Sequence, residues 1–450
     1  MGAGARDPVL YGAAATVRLS ELAHATSLSV GPETVLGKTV LLMTGDALAT
    51  ALALVELDGV AHRLVLATPD LPPEHVEHVR KTAGADTIVY DSASDRSRAP
   101  GAGTAILGGT ALKPILGRAP VADESEWILL TSGTTGAPKL VLHTLDSLGG
   151  GLAAREGHEP RIWATFYDLR RYGGLQIFLR AVLGGNALVL PGGAEPIAEF
   201  LARAAAHGVT HISGTPSHWR KVLMSGAARQ IDPVYVRLSG EIADQSLLDA
   251  LTATYPRATI AHAFASTEAG LAFEVEDARA GFPSALLNQA GPVELKVEHD
   301  TLFIRSPRTA TRYLDSDVAP LRAPDGYVDT GDLLERRGDR CFFVGRGGGV
   351  INVGGRKVYA EEVEAVINGD SRVRMSRVRA RKSPITGAVV VAEVVLTERA
   401  AADESQHQSI RQALIERCRE RLQSHKVPTM LSFVATLPLT PAGKLIRPDA

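Results

Sequence analysis

Cysteine is nearly absent from this chain of 450 residues, which has two, Cys341 and Cys418. Two cysteines cannot form the disulfide framework of a small secreted protein, and they argue against a zinc site built from cysteine. The histidines show no clear zinc spacing either, because a predicted helix end and strand start separate His207 from His211. Low cysteine content is typical of a reducing compartment, so we expect a cytoplasmic protein.

An excess of positive charge is also lacking. The 48 Lys and Arg residues are balanced by 50 Asp and Glu residues, which gives a net charge of −2. A nucleic-acid-binding protein would show a basic surplus, so we expect no nucleic-acid partner. Hydrophobic residues make up 45% and charged residues 22% of the chain, which excludes a disordered protein and predicts a sizeable folded core.

Long apolar runs are missing as well. The most apolar stretch near the N-terminus, residues 40–55, contains Asp46, and no run reaches the roughly 18 residues of a membrane span. Asp7 and Arg18 interrupt the N-terminal segment, which is therefore a poor signal peptide. Arg6 stands where a myristoylation signal has serine or threonine. We expect no membrane span.

Strand-like and helical segments alternate over most of the chain, a pattern typical of a parallel α/β sheet. The predicted strands cover 37–45, 62–70, 86–91, 186–191, 209–216, 234–240 and 258–266, and the predicted helices cover 46–57, 73–84 and 194–208. The composition of residues 92–103 predicts a surface loop. Short alternating strands from about Glu294 onward predict an antiparallel part that closes the large domain.

A compact set of elements follows the glycine run at 347–349. It comprises a predicted strand at 351–358, a helix at 360–369, strands at 372–380 and 387–396, and a helix at 409–426. The predicted fold class is therefore α/β, with a large multi-layer α/β N-terminal domain and a small mobile α+β C-terminal domain. We place the large domain at 1–344, a glycine hinge at 345–349 and the small domain at 350–450.

The strongest local signal for chemistry is the segment TSGTTGAPK at residues 131–139. Its glycines let backbone amides turn toward a phosphate, and its hydroxyls and Lys139 add donors and charge. The segment does not fit the GxxxxGK[ST] pattern of a Walker A loop. Taken alone, it could also be an ordinary polar turn after a strand.

Four further segments follow it in order: FASTE at 264–268, YVDTGD at 327–332, GRGGGVINVGGRKVYAEEVE at 345–364 and LPLTPAGKLIRP at 437–448. Together the five segments resemble the ordered motifs of the adenylate-forming superfamily, which comprises acyl- and aryl-CoA synthetases, peptide-synthetase adenylation domains and luciferases. The resemblance runs from about Val121 to the end of the chain, and it favours an acyl- or aryl-CoA ligase. It implies an enzyme that joins a carboxylic acid to AMP, releases pyrophosphate and then forms a thioester.

The resemblance implies a role for each matching residue. The predicted catalytic residues are Thr267, which contacts the α-phosphate, Glu268, which binds Mg²⁺, and Lys444, which bridges the acid and the α-phosphate. Phe264 would lie against the adenine, and Asp332 would accept both ribose hydroxyls. The full set of predicted nucleotide-binding residues is Thr131, Ser132, Gly133, Thr134, Thr135, Gly136, Lys139, Gly240, Glu241, Phe264, Asp332 and Arg346. Only the ordered set supports these roles, since each residue alone would be an ordinary turn or surface residue.

Three positions depart from the family pattern. Ala265 replaces the usual glycine after the aromatic residue, Leu140 stands where a glycine commonly follows Lys139, and Gly348 stands where a charged hinge residue is usual. Glycine adopts both signs of φ at little cost, so Gly348 predicts a swivel between the domains. The alternative is a flexible linker without a mechanistic role. Because only 130 residues precede Thr131, the first part of the large domain is predicted to be shortened.

Residues 166–190 resemble the segment that lines the acid pocket of the family. Arg170 stands where many CoA ligases have a histidine. Tyr172 stands where amino-acid-activating domains have the aspartate that binds the amine, which disfavours an amino-acid substrate. Gly173 leaves room nearby. Tyr172 could hydrogen-bond a ring substituent or only pack, and Arg170 could pair with a second acid group or only with carboxylates of the protein.

The predicted substrate is an aromatic or medium-sized apolar carboxylic acid, with ATP and Mg²⁺ as cofactors and CoA as the acceptor. Two alternatives stay open: a stand-alone adenylation enzyme that loads a carrier protein or forms an amide, and a non-catalytic nucleotide-binding protein on the same fold. The joint presence of Glu268, Asp332, Arg346 and Lys444 argues against the second alternative.

Overall fold

The structure is a computed structural model. It describes residues 7–68, 71–98, 101, 103–115, 117, 124–131, 137–150, 152, 160–287, 289–315, 317–346, 350–353, 356–383, 387–438 and 445. No helix within these ranges has both the length and the apolar character that a membrane span requires.

Sheet 1 has eight strands within the described residues, and all but its two edge strands run parallel. From edge to edge its strands are Gly270–Val275, Thr259–Ser266, Tyr235–Ser239, His211–Gly214, Ile162–Thr165, Ala187–Val189, Val9–Tyr11 and Thr16–Arg18. The edge strand Gly270–Val275 runs antiparallel to Thr259–Ser266, so a tight turn at residues 267–269 ends the sheet.

Sheet 2 is also eight-stranded in the part of the chain that the structure describes. From edge to edge its strands are Arg312–Tyr313, Lys139–His143, Glu126–Thr131, Arg63–Leu66, Thr39–Leu42, Thr87–Tyr90, Thr104–Pro114 and Ala25–Leu28. The five strands from Glu126–Thr131 to Thr104–Pro114 run parallel to one another. The strand Lys139–His143 runs antiparallel to Glu126–Thr131, and Tyr313 lies opposite Val141 at the edge.

Three smaller sheets complete the described chain. Sheet 3 is antiparallel and consists of Phe282–Pro283, Arg340–Arg346, Val328–Arg337, Thr301–Arg305 and Glu294–Glu298. A hairpin pairs Val350–Val353 with Arg356–Tyr359, and a three-stranded sheet contains Val373–Ser383, Gly387–Leu396 and Met430–Phe433. The hairpin and this last sheet share one hydrophobic core, whose buried residues run from Ile351 to Leu431.

Several helices begin at a side chain that accepts one of the free backbone amides of the first turn. Asp46 accepts from Ala49, and Thr215 and Asp244 cap two later helices in the same way. The described α-helices are Ala47–Leu57, Pro73–Ala83, Ala93–Ser97, Leu145–Gly149, Tyr172–Leu183, Ile197–Ala206, Pro216–Met224, Gln245–Thr254, Ala360–Asn368, Glu398–Ala401 and His407–Arg421. Short 3₁₀ helices cover Leu19–Ala23, Pro32–Val35, Ala228–Gln230, Ser284–Leu286, Glu404–Gln406 and Ser424–Lys426.

The predicted alternation of strands and helices is confirmed, and so is the antiparallel part after Glu294. Two local predictions are wrong. The predicted loop at 92–103 contains the helix Ala93–Ser97, which the Ser92 side chain caps by accepting from the Asp95 amide. The predicted single strand at 351–358 is a hairpin, because the chain reverses between Val353 and Arg356.

One hydrophobic core joins sheets 1 and 2. It contains Leu10 and Trp163 from sheet 1 and Leu42 and Trp127 from sheet 2. The helix Ala47–Leu57 is buried on nearly all sides within this core, since nine of its 11 residues are buried. An Ala- and Leu-rich helix without a polar face is expected to lie between two sheets in this way.

A buried ion network ties neighbouring strands of sheet 1 together. Arg237 Nε donates to Glu274 Oε2 over 3.0 Å, and Arg180 Nη2 lies 3.8 Å from the same oxygen. Tyr235 also donates to the Glu274 carboxylate. Burial opposes ionisation of Glu274, but the two guanidinium groups and the Tyr235 hydroxyl outweigh it and lower its pKa to about 2.

Replacing Glu274 with alanine should destabilise the fold by about 3–5 kcal/mol, because Arg237 would stay buried without its partner. Equilibrium urea unfolding measures this loss. The Glu274 pKa is depressed in the folded state, so its contribution is full above the ordinary value of 4.5 and is lost as the pH falls towards about 2. Wild-type stability should therefore fall more steeply than that of the variant over this range.

The matched control is Asp232→Ala, which breaks the exposed ion pair with Arg257. Exposed pairs contribute about 0–1 kcal/mol, so this variant should lose little stability at any pH. Equal losses in the two variants would contradict the role assigned to Glu274.

Candidate functional site

The turn between the last two strands of sheet 1 carries Thr267 and Glu268. Gly270 ends this turn with φ of +77°, and a Cβ at that position would lie 2.5 Å from the Arg308 carbonyl oxygen. Both the positive φ and the close approach require glycine here. The sequence therefore fixes where the chain reverses, and with it the place of the two predicted catalytic side chains.

His143 holds the backbone of this turn from sheet 2. The ring is fully buried; Nε2 lies 2.7 Å from the Thr267 carbonyl oxygen and Nδ1 lies 2.9 Å from Ser147 Oγ. Burial lowers the pKa of His143 to about 4, so the ring is neutral at neutral pH. Because a carbonyl only accepts, the proton resides on Nε2, and Nδ1 is left to accept from the Ser147 hydroxyl.

Glu268 and Lys139 meet at the side chain of Tyr313. The Tyr313 hydroxyl lies near the Glu268 carboxylate, whose charge acts on it, and Lys139 Nζ lies 5.2 Å from the centre of the Tyr313 ring. Burial and the neighbouring carboxylate raise the pKa of Tyr313 to about 12, so the hydroxyl keeps its proton at neutral pH. The predicted metal ligand and the predicted phosphate-binding lysine are thus brought to one place.

The predicted ribose residues form a pair across a hairpin of sheet 3. Asp332 lies opposite Arg346, whose Nε and Nη2 are 3.1 and 3.4 Å from the two carboxylate oxygens. The Arg346 side chain is 64% exposed, so it faces solvent. Partial loss of hydration opposes its charge, but the carboxylates of Asp332, Glu268 and Glu361 outweigh this and raise its pKa. The charge of Glu268, on the turn, therefore acts on Arg346 of the ribose pair.

Phe264 lies in a group of nearly parallel aromatic rings. Its ring stacks on Phe343 at 4.7 Å with an interplanar angle of 9°, and on Phe273 at 5.8 Å. Phe264 is partly exposed. A flat apolar surface of this kind is compatible with an adenine ring, and the adenine contact stays a prediction.

Glu241 has a contact that the sequence did not predict. Its carboxylate accepts from the Ser217 amide at 2.8 Å and from the Ser217 hydroxyl at 3.1 Å, at the start of the helix Pro216–Met224. A carboxylate at a helix N-terminus is favourable because it satisfies free amides. The preceding residue, Gly240, has φ of +86°. The nucleotide role predicted for both residues is untested by this contact.

The predicted pocket residue Tyr172 is buried beside the turn. It begins the helix Tyr172–Leu183, its hydroxyl accepts from the Leu271 amide at 3.1 Å, and its ring lies 5.9 Å from that of His143. Burial raises the pKa of Tyr172 to about 12. Since the hydroxyl accepts from Leu271, its own proton is left to donate to a further group.

Arg170 is buried and paired with a carboxylate of the protein. Its Nε and Nη2 donate to the two Asp168 oxygens at 2.7 and 2.9 Å, and its Nη1 has no hydrogen-bond partner among the described residues. A Cβ added to Gly173 would lie 3.7 Å from the Tyr167 ring, an ordinary contact. Of the two alternatives for Arg170, pairing with a protein carboxylate is thus observed.

Some predicted residues lie outside the described part of the chain. They are Ser132, Gly133, Thr134, Thr135, Gly136, Gly348 and Lys444. The described ends of the predicted phosphate loop are Thr131 and Lys139, which pair with each other at the ends of two antiparallel strands. Thr131 Oγ1 is buried and has no hydrogen-bond partner in the described ranges, which leaves it available to a phosphate oxygen.

Sequence reasoning missed His143 and Tyr313. A signal for His143 exists, because side chains in a strand alternate between faces and Lys139, Val141 and His143 therefore share one face. Tyr313 lies outside the five motif segments. Its position at the site depends on the pairing of its strand with Val141, which has no signal in the local sequence.

Family models match two parts of the chain. Residues 27–300 match the AMP-binding enzyme model, and residues 362–444 match the model of the AMP-binding enzyme C-terminal domain. The first match alone spans more than half of the 450 residues. The chain therefore belongs to the AMP-binding enzyme family, within the adenylate-forming superfamily, and is of the acyl- or aryl-CoA ligase type.

One curated relative and two solved structures illustrate the similarity. The 2-succinylbenzoate–CoA ligase of Geobacillus kaustophilus is 30% identical over 350 residues, which cover 72% of this chain and 68% of that protein. The anthranilate CoA ligase AuaEII in complex with anthranoyl-AMP has a TM-score of 0.81 at 19% identity, with 98% of this chain and 93% of that chain covered. The amide bond synthetase McbA from Marinactinospora thermotolerans has a TM-score of 0.77 at 21% identity, with 98% and 96% covered.

These similarities confirm the superfamily, the fold class and the kind of enzyme that the sequence predicts. The two structures share the fold of a large α/β N-terminal domain and a smaller C-terminal domain. The protein is an adenylate-forming ligase of the acid–thiol type that uses ATP. The roles of individual residues and the domain boundaries stay predictions.

Replacing His143 should reduce activity through the turn that it holds. In His143→Leu the Thr267 carbonyl loses its donor, which should cost about 1–3 kcal/mol of stability and slow pyrophosphate exchange about 10-fold or more. His143→Gln keeps an N–H donor and should recover part of both losses. Urea unfolding and ATP–pyrophosphate exchange measure the two effects.

His262→Leu is the matched control, because His262 Nε2 also bonds a backbone carbonyl, that of Arg279, at 2.9 Å. This variant should exchange pyrophosphate close to the wild-type rate. If His143→Leu were as active as His262→Leu, His143 would have no part in holding the site.

Proposed function

We propose that the protein activates an aromatic or medium-sized apolar carboxylic acid with ATP and transfers the acyl group to CoA. In the first half-reaction a carboxylate oxygen bonds to the α-phosphorus while the bond from that phosphorus to pyrophosphate breaks. In the second, the CoA thiol loses its proton to solvent and its sulfur bonds to the acyl carbon, while AMP leaves with the electron pair. The observation that carries the proposal is the convergence of Lys139, Glu268 and the Asp332–Arg346 pair on one turn.

The residues around Glu268 fit a magnesium ion held mainly by ATP. The described residues contain no group of three or more His, Cys, Asp or Glu side chains that could hold a metal by themselves. Mg²⁺ usually binds one or two carboxylates together with substrate phosphates, and Glu268 is such a carboxylate. When bound, the ion supplies positive charge that reduces repulsion between the phosphates and the incoming acid.

The chain's own groups would then bind and orient the reactants. Lys139 and the Thr131 hydroxyl would face the phosphates, Thr267 the α-phosphate, and Asp332 the ribose. Lys444 would reduce the repulsion between the acid and the α-phosphate, because two anions must meet there. No protein nucleophile or general base is needed for this chemistry.

Tyr172 and the similar proteins support an aromatic acid. Tyr172 lies beside the turn that would hold the α-phosphate, and its hydroxyl has a proton to donate to a ring substituent. The similar proteins carry names that refer to 2-succinylbenzoate and anthranilate, both aromatic acids. An amine acceptor is the second candidate, since a protein of the same fold is an amide bond synthetase.

Transfer to CoA would require the small domain to move. We propose that residues 345–349, with Gly348 as the swivel, separate a large domain at 1–344 from a small domain at 350–450. Rotation about this segment would withdraw Lys444 after adenylation and bring another face of the small domain to the acyl-adenylate. The separate hydrophobic core between Ile351 and Leu431 supports this division.

The purified protein should exchange labelled pyrophosphate into ATP when supplied with its acid and Mg²⁺. A panel of aromatic and aliphatic acids, assayed with and without CoA, identifies the acid and tests the acceptor. Lys444→Ala should slow exchange about 100- to 1,000-fold, as expected for loss of one group that stabilises developing charge. Its ATP binding should stay near wild type, because Asp332 and the phosphate-binding residues remain.

Lys382→Ala is a suitable control, since Lys382 is an exposed lysine on a strand of the small domain. It should exchange pyrophosphate at the wild-type rate. Wild-type exchange by Lys444→Ala would disprove the role of that lysine, and the absence of exchange with every acid would disprove the proposed function.

Tyr172→Phe should change which acids are preferred. The variant loses one hydroxyl, so the preference between hydroxylated or aminated and plain aromatic acids should shift about 2- to 12-fold in kcat/KM. The KM for ATP should not change. Steady-state kinetics with paired acids measures the shift, and an unaltered acid profile would remove Tyr172 from the pocket.

A further inference from the structure

Tyr313 contacts two charged residues that are assigned to the nucleotide. The Lys139 ammonium lies 5.2 Å from the centre of its ring, and its hydroxyl lies near the Glu268 carboxylate. No other aromatic side chain has these two neighbours among the described residues. The reaction as proposed gives Tyr313 no role, so these contacts need a separate explanation.

The backbone around Tyr313 is held on both sides. Thr311 donates to the Leu142 carbonyl at 2.7 Å and Leu314 donates to the Leu140 carbonyl at 2.9 Å, which attaches the segment to the strand that begins with Lys139. Ala310 donates to the Glu268 carbonyl at 2.9 Å. The same short segment therefore bonds the main chain of Glu268 and the strand that begins with Lys139, so Tyr313 has a fixed position relative to both residues.

The chemistry of the tyrosine side chain suits a place between opposite charges. A direct ion pair of Lys139 with Glu268 would neutralise both groups before a nucleotide binds, and the structure records none between these two described residues. An aromatic face attracts an ammonium ion without neutralising it. A single hydroxyl proton occupies one lone pair of the carboxylate and leaves the others for a metal ion.

We propose that Tyr313 is a positioning residue of the nucleotide site. In this proposal its hydroxyl donates a hydrogen bond that orients the Glu268 carboxylate toward an ATP-bound metal ion, and its ring holds the Lys139 ammonium toward the phosphates. The proposal rests on the function proposed above for this site, and it concerns ATP and metal binding rather than the acid or the acceptor.

The two contacts are separated by two variants. Tyr313→Phe removes the hydroxyl and keeps the ring, whereas Tyr313→Leu removes both. The control is Tyr255→Phe, which removes a buried tyrosine hydroxyl that bonds the Ala228 carbonyl at 2.8 Å. Calorimetric titration with ATP, in EDTA and in excess Mg²⁺, gives for each protein the factor by which Mg²⁺ tightens ATP binding.

Tyr313→Phe should reduce this factor about 3- to 10-fold and leave ATP binding in EDTA unchanged, because one hydrogen bond to Glu268 is lost. Tyr313→Leu should show the same reduction and also weaken ATP binding in EDTA about 2- to 5-fold, because Lys139 loses its aromatic contact. Tyr255→Phe should resemble wild type in both conditions. In a Glu268→Gln background, Tyr313→Phe should have no further effect on the factor, since both changes act on one contact.

A Tyr313→Phe protein with the wild-type factor would overturn the proposal, and so would additive effects of Tyr313→Phe and Glu268→Gln. Thermal unfolding of Tyr313→Phe well below that of Tyr255→Phe would also overturn it, because the hydroxyl would then serve the fold. No acid is present in these titrations. Lack of pyrophosphate exchange by the wild type with every acid would thus count against the proposed function. The ATP titrations of the Tyr313 variants would still test the role of Tyr313.

Discussion

The 2.7 Å hydrogen bond from His143 to the Thr267 carbonyl joins two sheets that share no strand among the described residues. Thr267 follows the last parallel strand of sheet 1, and His143 ends the strand of sheet 2 that begins with Lys139. At about 3.3 Å per residue, that strand sets the separation between its two ends. Once the ring fixes Thr267, the distance from the turn to Lys139 is largely determined. The bond from Ala310 to the Glu268 carbonyl adds a second point of attachment, so the turn cannot pivot about the first.

The charges at this turn favour the binding of a polyanion over folding stability. The Asp332–Arg346 pair is open to solvent on the arginine side, and exposed pairs of this kind contribute about 0–1 kcal/mol to stability. The buried network around Glu274 is the opposite case, since its removal would leave Arg237 without a partner. Sheet 1 therefore contains a buried ion network that stabilises the fold, while the exposed Asp332–Arg346 pair can exchange partners at little cost in stability.

The sequence predicted the alternation of elements but not their division between two sheets. The periodic spacing of apolar residues indicates which segments form strands and helices. The order of strands in a sheet depends instead on how the crossover connections pack. Val9–Tyr11, for example, leaves the neighbouring segments of sheet 2 and pairs with Ala187–Val189. The site shows the same limit. Motif residues were recognised one by one, but the contact of His143 with Thr267 spans 124 positions and has no local signature. The hairpin at 350–359 was missed although Gly354 and Gly355 separate its two strand-like segments, a pattern typical of a two-residue hairpin loop.

The position of the ribose pair relative to the proposed hinge separates nucleotide binding from domain movement. Asp332 lies in the proposed large domain, and Arg346 lies on the neighbouring strand of sheet 3, within the proposed hinge segment but before Gly348. Across the hinge, Glu361 approaches so closely that a Cβ on Gly345 would lie 2.8 Å from its Oε2, and φ of +144° at Gly345 also favours glycine. Rotation of the small domain would therefore remove Glu361 from Arg346 but leave the pair with Asp332 intact. In this arrangement the nucleotide could stay bound while the small domain exchanges one face for another, which a two-step reaction at one site requires.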